Sequence, residues 1–143
     1  MPSDGLREYR DQDRKDVVSL WQRVFPDDPP RNAPGGVIDR KLRVQPELFR
    51  VAVVDRRVVG TVLGGYDGVR GWIHHLAVHP DFRRRGLGRR LVDDVEARLA
   101  ALGCPKVNLQ IRAGNADVRA FYERLGYSVE ERVSMGKVLE AGR

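Results

Sequence analysis

Two periodicities meet at Gly86, and that junction constrains the fold more than any other feature of the chain. Before it, apolar and β-branched residues crowd into three short runs, Leu48 to Val54, Val58 to Tyr66 and about Val69 to Val78. Asp55-Arg56-Arg57 and Asp67-Gly68 separate them as turns, so the block reads as consecutive strands. After it, Leu87, Leu91, Val95, Leu99 and Leu102 recur at helical spacing and make one apolar stripe. A strand that passes through a glycine turn directly into a helix needs a layered structure, with the helix laid on the sheet.

The flanks extend this pattern. Leu6 to Arg10 reads as a first strand, and Asp11 or Asp13 is placed to cap a helix carrying Val17, Val18, Leu20, Trp21 and Val24. Prolines and glycines from Pro26 to Gly36 read as a loop, followed by a short helix from Val37 to Val44 that stops before Pro46. Gly103 ends the long helix, and Val107, Leu109 and Ile111 alternate as a half-buried strand. A helix from Asn115 to Leu125 ends at Gly126, and a final strand is expected from Tyr127 to about Val138. The predicted order is β-α-α-β-β-β-α-β-α-β, an α/β (α+β) fold on a mixed, mostly antiparallel twisted sheet flanked by helices. At 143 residues, without repeats or a long linker, the expectation is a single domain over 1–143.

Composition narrows the function classes. One cysteine, Cys104, excludes an internal disulfide framework and a cysteine-rich metal site, and no metal is expected. No stretch approaches the ~20 apolar residues of a membrane span, and the polar start from Met1 to Arg10 does not read as a signal peptide. These features fit a cytoplasmic protein. The net charge is +6, and five arginines against Asp81 place +4 of it between His79 and Arg90. Charge that local disfavours a broad nucleic-acid face and suits a compact anion such as a pyrophosphate. Arginines at a helix start oppose the macrodipole by about 0.3–1 kcal/mol each, a cost that an anion bound there would reverse. The plain alternative is an ordinary basic turn with a glycine entry. A P-loop is excluded because Arg89-Arg90 follow Gly88, and a dinucleotide fingerprint because Leu91 stands where its third glycine belongs.

Arg83-Arg84-Arg85-Gly86-Leu87-Gly88 resembles the Arg/Gln-x-x-Gly-x-Gly/Ala signature of the GNAT N-acetyltransferases. Leu76-Ala77-Val78-His79-Pro80-Asp81-Phe82 resembles the strand and turn before that signature. Asn115 with Phe121-Tyr122-Glu123-Arg124-Leu125-Gly126-Tyr127 resembles the family's later helix-to-strand motif. Gly64-Gly65-Tyr66-Asp67-Gly68 and Ile38-Asp39-Arg40-Lys41 are similar to the small bacterial YpeA-like acetyltransferase subgroup. The resemblance covers nearly the whole chain. It implies transfer of an acetyl group from acetyl-CoA, a co-substrate, to an amine of a small molecule or protein, by direct attack in a ternary complex. It implies that the backbone of Arg84 to Arg89, with Arg83, Arg85, Gly86, Leu87 and Gly88, holds the pyrophosphate. It implies that Leu76, Ala77 and Val78 pair with the pantetheine arm like an added strand, with Asn115 near that arm and Tyr122 at the sulfur. Family members often dimerise, which leaves a homodimer open.

The chemistry asks for a base and an acid. An alkylamine is mostly protonated at neutral pH, so a proton must leave before it attacks a thioester, and the departing thiolate benefits from a donor. Asn115, Val118, Tyr122 and Leu125 share one helix face, which predicts that Asn115 and Tyr122 point inward and Glu123 and Arg124 outward. Tyr122 is the acid candidate, against the alternative of a core tyrosine with a satisfied hydroxyl. Many family members carry a glutamate on the strand before the signature, where this chain has Trp72, Ile73, His74 and His75. Alternation puts His74 with Trp72 and Leu76 and puts His75 on the opposite face, although a bulge common in this strand of the family would shift that parity. His74 is preferred as base because some family members place catalytic histidines there; His75 or a water chain stays open, as does a purely structural histidine. His79, beside Pro80, reads as structural. The acceptor side should be covered by the Phe25 to Gly36 loop and the helix after it. Asp27 and Asp28 either attract a cationic amine or belong to a solvated loop, and Tyr66 and Trp72 either line the pocket or pack in the core. A second class of function is an acyl-CoA-binding regulatory module with weak catalysis, which the missing glutamate favours and Tyr122 disfavours.

Overall fold

The computed structural model describes residues 5–139. Its packing divides the chain at Leu109/Gln110 into two compact units. The first unit contains β1 (Gly5–Glu8), α1 (Arg14–Val24), α2 (Pro34–Lys41), β2 (Phe49–Val54), β3 (Arg57–Tyr66), β4 (Gly71–Val78), α3 (Leu87–Ala101) and β5 (Val107–Leu109). The sheet runs in the order β1-β2-β3-β4-β5, antiparallel through β4, with β5 parallel to β4. A parallel neighbour requires a crossover, and α3 supplies it.

One face of the sheet carries α1 and α2. Phe49, Val51 and Val53 from β2 pack there with Leu63, Ala77, Val17, Leu20, Trp21, Val37 and Ile38. The other face receives the α3 stripe of Leu91, Val92, Val95 and Leu99, all fully buried. That helix lies close because the strands opposite it are stripped of side chains. A Cβ on Gly60 would come within 3.0 Å of Leu91, and one on Gly64 would run into Val95. An ion pair crosses the same layer, with Arg50 Nε donating to Asp94 Oδ2 at 2.8 Å. Arg50 is buried, so the pair fixes how α3 sits on β2.

Several boundaries in this unit differ from expectation: β1 is Gly5–Glu8 rather than Leu6 to Arg10, α2 ends at Lys41 rather than Val44, and β5 ends at Leu109, before Ile111. The second helix starts at Pro34 rather than Val37, because proline at the first helical position gives up no hydrogen bond and presets φ. Asp13 stands at the start of α1 but does not cap it with its side chain. Its carboxylate instead accepts two bonds from Arg7, at 2.7 and 2.9 Å, and one from the Arg10 N–H at 2.8 Å.

The second unit contains α4 (Ala116–Arg124), capped by the Asn115 side chain accepting from Val118 N–H at 3.3 Å. The final strand expected from Tyr127 to Val138 is not formed. Residues 128–139 are exposed and unladdered, and the charged turn at Glu130-Glu131-Arg132 closes on itself, Arg132 N–H donating to Glu130 O at 2.9 Å. Val133 and Met135, at 89% and 91% exposure, have no buried face to alternate with.

Candidate active site

The Gly86 junction is built as strand, turn and helix. β4 ends at Val78, a short turn follows, and α3 starts at Leu87. Two residues take left-handed backbone, Arg84 at φ 65° and Gly86 at φ 74°. Glycine adopts this freely, whereas an arginine there carries strain. Such turns aim successive N–H groups into one concavity. No side chain caps α3 and no acidic residue stands in its first turn, so its leading N–H groups have no acceptor from either source. Around them, Arg83 Nε donates to Val78 O at 3.2 Å, and the Arg85 guanidinium lies 5.0 Å from the centre of the Phe82 ring. Arg89 reaches Asp93 only at 3.9 Å, and Arg84 and Arg90 are exposed. His79 is a scaffold residue whose Nδ1 accepts from Asp81 N–H at 3.1 Å.

β4 reaches this junction with one side open. Its pairing with β5 covers only Gly71, Trp72 and Ile73, opposite Val107, Asn108 and Leu109. Beyond Ile73, no strand among the described residues pairs with that edge, so main-chain groups of His74 to Val78 are free of a ladder there. Ala77 is buried and Leu76 and Val78 are half-buried. Their side chains pack, and their backbone edge lacks a strand partner among the described residues, with Val78 O accepting from Arg83 Nε instead.

The other side of β4 carries the histidines, and the expected alternation fails. Thr61 pairs with Ala77 but Leu63 pairs with His74, so β4 holds one extra residue against β3. His75 is its centre, at φ 51°. The bulge turns both histidines toward α1 and α2, which corrects the placement of His75 on the opposite face. It is locked by a relay in which Trp21 Nε1 donates to Thr61 Oγ1 at 2.8 Å and Thr61 Oγ1 donates to His75 O at 2.9 Å. The His75 ring lies 4.6 Å from the Trp21 ring and 5.4 Å, edge-on, from Phe25. Burial drives its pKa down to about 4, with the Asp28 charge opposing and His74 adding. His74 opens to solvent on one side and stacks on Trp72, centroids 6.5 Å apart. Protein crowds the rest of its ring; this desolvation and the nearby Lys41 charge hold its pKa below the usual imidazole value.

His74 and His75 line an open groove of about 520 Å³ with Lys41, Gln45, Tyr66 and Trp72. That volume suits a small metabolite or the end of a longer chain. Gln45 bridges to the end of β3, accepting from Tyr66 N–H at 2.8 Å and donating to Tyr66 O at 3.1 Å. Lys41 Nζ donates to Gly64 O at 2.5 Å. Tyr66 and Trp72 therefore line this groove. Asp27 and Asp28 do not line the groove, although the Asp28 charge is felt at His75. Sequence reasoning missed Arg40, Lys41 and Gln45 as lining residues. The available signal was the basic pair closing α2, which also has the ordinary role of compensating a helix C-terminus.

In the second unit, Tyr122 is buried, with Phe121 and Tyr127 edge-on at 5.1 and 5.4 Å. Burial pushes its hydroxyl pKa up, so it is protonated at neutral pH. Glu123 and Arg124 face outward, as the spacing predicts. Asn115 does not point inward: it is exposed, and its side-chain oxygen is spent on the α4 cap. Val118 on the same face is 37% exposed.

Comparison with known proteins places this arrangement in a family. The model for the "Acetyltransferase (GNAT) family" matches residues 9–127. An acetyltransferase of Pectobacterium atrosepticum is 43% identical over 136 residues, 94% of each chain. The crystal structure of Ard1 from Thermoplasma volcanium superposes with a TM-score of 0.80 at 26% identity, covering 90% of this chain and 84% of that one. The structure of AAC(6')-Iy in complex with the bisubstrate analogue CoA-S-monomethyl-acetylneamine shares the fold at a TM-score of 0.77. It is 18% identical and is matched over 94% of this chain and 97% of that one.

Proposed function

The chain belongs to the GNAT acetyltransferase family, and from that premise we propose that it moves the acetyl group of acetyl-CoA to a primary amine by direct attack in a ternary complex. One observation carries the reading. The open edge of β4 beyond Ile73 leads into the uncapped, arginine-rich start of α3, while the opposite side of the same strand lines a groove with an accessible histidine. A neighbour in fold is a complex with a CoA conjugate, which fits a ligand of this class.

The residues present suit the donor. The N–H groups of Gly86, Leu87, Gly88 and Arg89 would take its pyrophosphate, with Arg83, Arg84 and Arg85 supplying countercharge. Leu76, Ala77 and Val78 would hold the pantetheine arm by main-chain hydrogen bonds. When bound, acetyl-CoA supplies an acetyl group activated as a thioester. In the groove, an unprotonated ring nitrogen of His74 accepts the proton that the acceptor ammonium must lose. Its lowered pKa keeps the ring neutral at pH 7 and ready to accept, at some cost in basicity. Tyr122 Oη, held protonated by burial, is assigned the proton returned to the departing sulfur. Asn115, through its cap, would set where α4 begins; a direct bond to the cofactor would have to compete with that cap.

Calorimetric titration with acetyl-CoA tests the donor site first, and saturable one-site binding is expected. Tyr122→Phe should then keep that affinity and lower turnover by about 10²-fold. Unchanged turnover removes Tyr122 from the acid role. Binding without release of CoA across a broad amine and peptide panel would favour the acyl-CoA-binding regulatory module.

A further inference from the structure

The charge in the acceptor groove is of the wrong sign for a polycationic amine. The groove is lined by Arg40, Lys41 and Asp67 together with the two histidines, which their surroundings keep neutral. Asp67 offsets one of these two cations and leaves the groove net positive. Its Oδ1 accepts from both Val69 and Arg70 N–H at 2.8 Å, and its Oδ2 from Trp72 Nε1 at 3.3 Å, bonds that hold its pKa below the usual carboxylate value and tie it to the β3–β4 turn. Lys41 is the opposite case. Its ammonium is half-buried and bonds to Gly64 O, and among the described residues it forms no ion pair. Glu47 is the one carboxylate whose charge it feels appreciably, and burial still prevails in lowering its pKa. Asp39, two residues earlier, is turned away to Arg14 at 2.9 Å. Arg40, exposed beside Lys41, donates to Arg31 O at 2.6 Å through one of its nitrogens.

A half-buried ammonium without a carboxylate is costly to keep, and among the described residues only one of the three Lys41 donors has a hydrogen-bond partner. A ligand carboxylate would complete it. Lys41 and His74 line the same groove of about 520 Å³, so an anion at Lys41 and an amine at His74 fit within one small molecule. Trp72, stacked on His74, offers a flat apolar wall for the carbon skeleton between or beside them.

Resting on the acetyltransferase reading above, we propose that the acceptor is an amino carboxylate, a small amino acid-like molecule whose carboxylate is held by Lys41 with help from Arg40. A charge-assisted bond of this kind is worth about tenfold or more in affinity. The groove would reject diamines and aminoglycosides, whose second cation would meet Lys41 and Arg40.

The test uses the full chain saturated with CoA, with CoA binding confirmed first by calorimetry. Each α-, β- and γ-amino acid of a panel is then titrated beside its decarboxylated amine and its neutral amide, with heat and tryptophan fluorescence as readouts. At least one amino acid is expected to bind about tenfold or more tighter than both of its partners. Lys41→Met should abolish that preference, and Lys41→Arg should retain most of it. Equal binding by the paired amines, no binding by any amino acid, or a preference that survives Lys41→Met would each overturn the proposal. None of these results bears on the donor site: loss of CoA binding itself is the outcome that sinks the acetyltransferase reading.

Discussion

The Gly86 junction and the histidine-lined groove lie on the two sides of one strand, yet they are made in different ways. The junction is contiguous. Its strand end, its two left-handed residues and its uncapped helix start all fall between Val78 and Arg90, and it is built from backbone geometry. The groove is assembled. It takes Lys41 from α2, Gln45 from the turn after it, Tyr66 from β3 and Trp72, His74 and His75 from β4, and it is built from side chains brought together by packing. Local backbone geometry needs only its own residues, whereas an assembled groove depends on how helices and strands pack.

That contrast can be broken in the middle of α3. Asp94→Ala leaves the Arg50 guanidinium buried beside β2 without its charge partner, which costs about 3–5 kcal/mol and lowers Tm by roughly 10 °C. In the fraction that remains folded, acetyl-CoA affinity is expected to persist, because the junction is local. Calorimetry below the lowered Tm reads both quantities. A large loss of affinity in folded protein would show that the junction is no more self-sufficient than the groove.

The next largest effect is expected at the groove. His74→Gln keeps a polar side chain on the strand but removes the proton acceptor, and turnover should fall about 10²-fold with acetyl-CoA affinity unchanged. His75→Gln is the control, since His75 is wedged against Trp21 and Phe25 and is a poor acceptor with a pKa of about 4. If the two variants lose turnover equally, the shared face created by the bulge matters more than either ring.

The difference in construction also explains what could be read from the sequence. The junction was legible because Arg83-Arg84-Arg85-Gly86-Leu87-Gly88 encodes a turn, a charge and a helix start within six positions. The order of elements was legible through β5 and α4 because each helix and strand announces its own period. The pairing of His74 and His75 was not, because alternation assumes a regular ladder and the extra residue at His75 is decided by Thr61 and Trp21, far away in sequence. Lys41 escaped for the same reason: its bond to Gly64 exists only once α2 is laid across β3. The last strand was overcalled because Val129, Val133 and Val138 have β propensity, yet the segment has no ladder partner among the described residues.

A smaller effect is expected where backbone conformation alone is changed. A Cβ at Gly86 meets nothing within 4 Å, so space does not forbid a side chain there. The φ of 74° does, most of all for a β-branched residue. Gly86→Val should therefore raise the dissociation constant for acetyl-CoA about tenfold by tilting the N–H groups, at a strain cost of roughly 1–2 kcal/mol. Gly86→Asn, which tolerates the left-handed region, should recover most of it. If valine and asparagine bind acetyl-CoA as well as glycine does, the cradle is not made by this backbone.

The smallest effect tests the groove through pH. A histidine whose folded pKa is depressed contributes stability that is complete above its unfolded value near 6.5 and is lost as pH falls toward the folded value, here about 4. Below about 6.5 the unfolded chain takes up a proton that the wedged His75 ring refuses, so urea midpoints should fall between pH 6.5 and pH 4. Water still reaches part of the ring, and the change should be only ~1 kcal/mol. Asp13, held below the usual carboxylate range because the Arg7 and Arg10 contacts outweigh its burial, loses stability in the same direction but at the lower end of the scale. His75→Asn separates the two, since asparagine accepts the positive φ of the bulge and carries no titrating ring. The slope between pH 6.5 and pH 4 should flatten in that variant while the more acidic limb stays. A slope unchanged by His75→Asn would mean that the ring exchanges protons freely with solvent, and that its packing against Trp21 and Phe25 does not disfavour the protonated form.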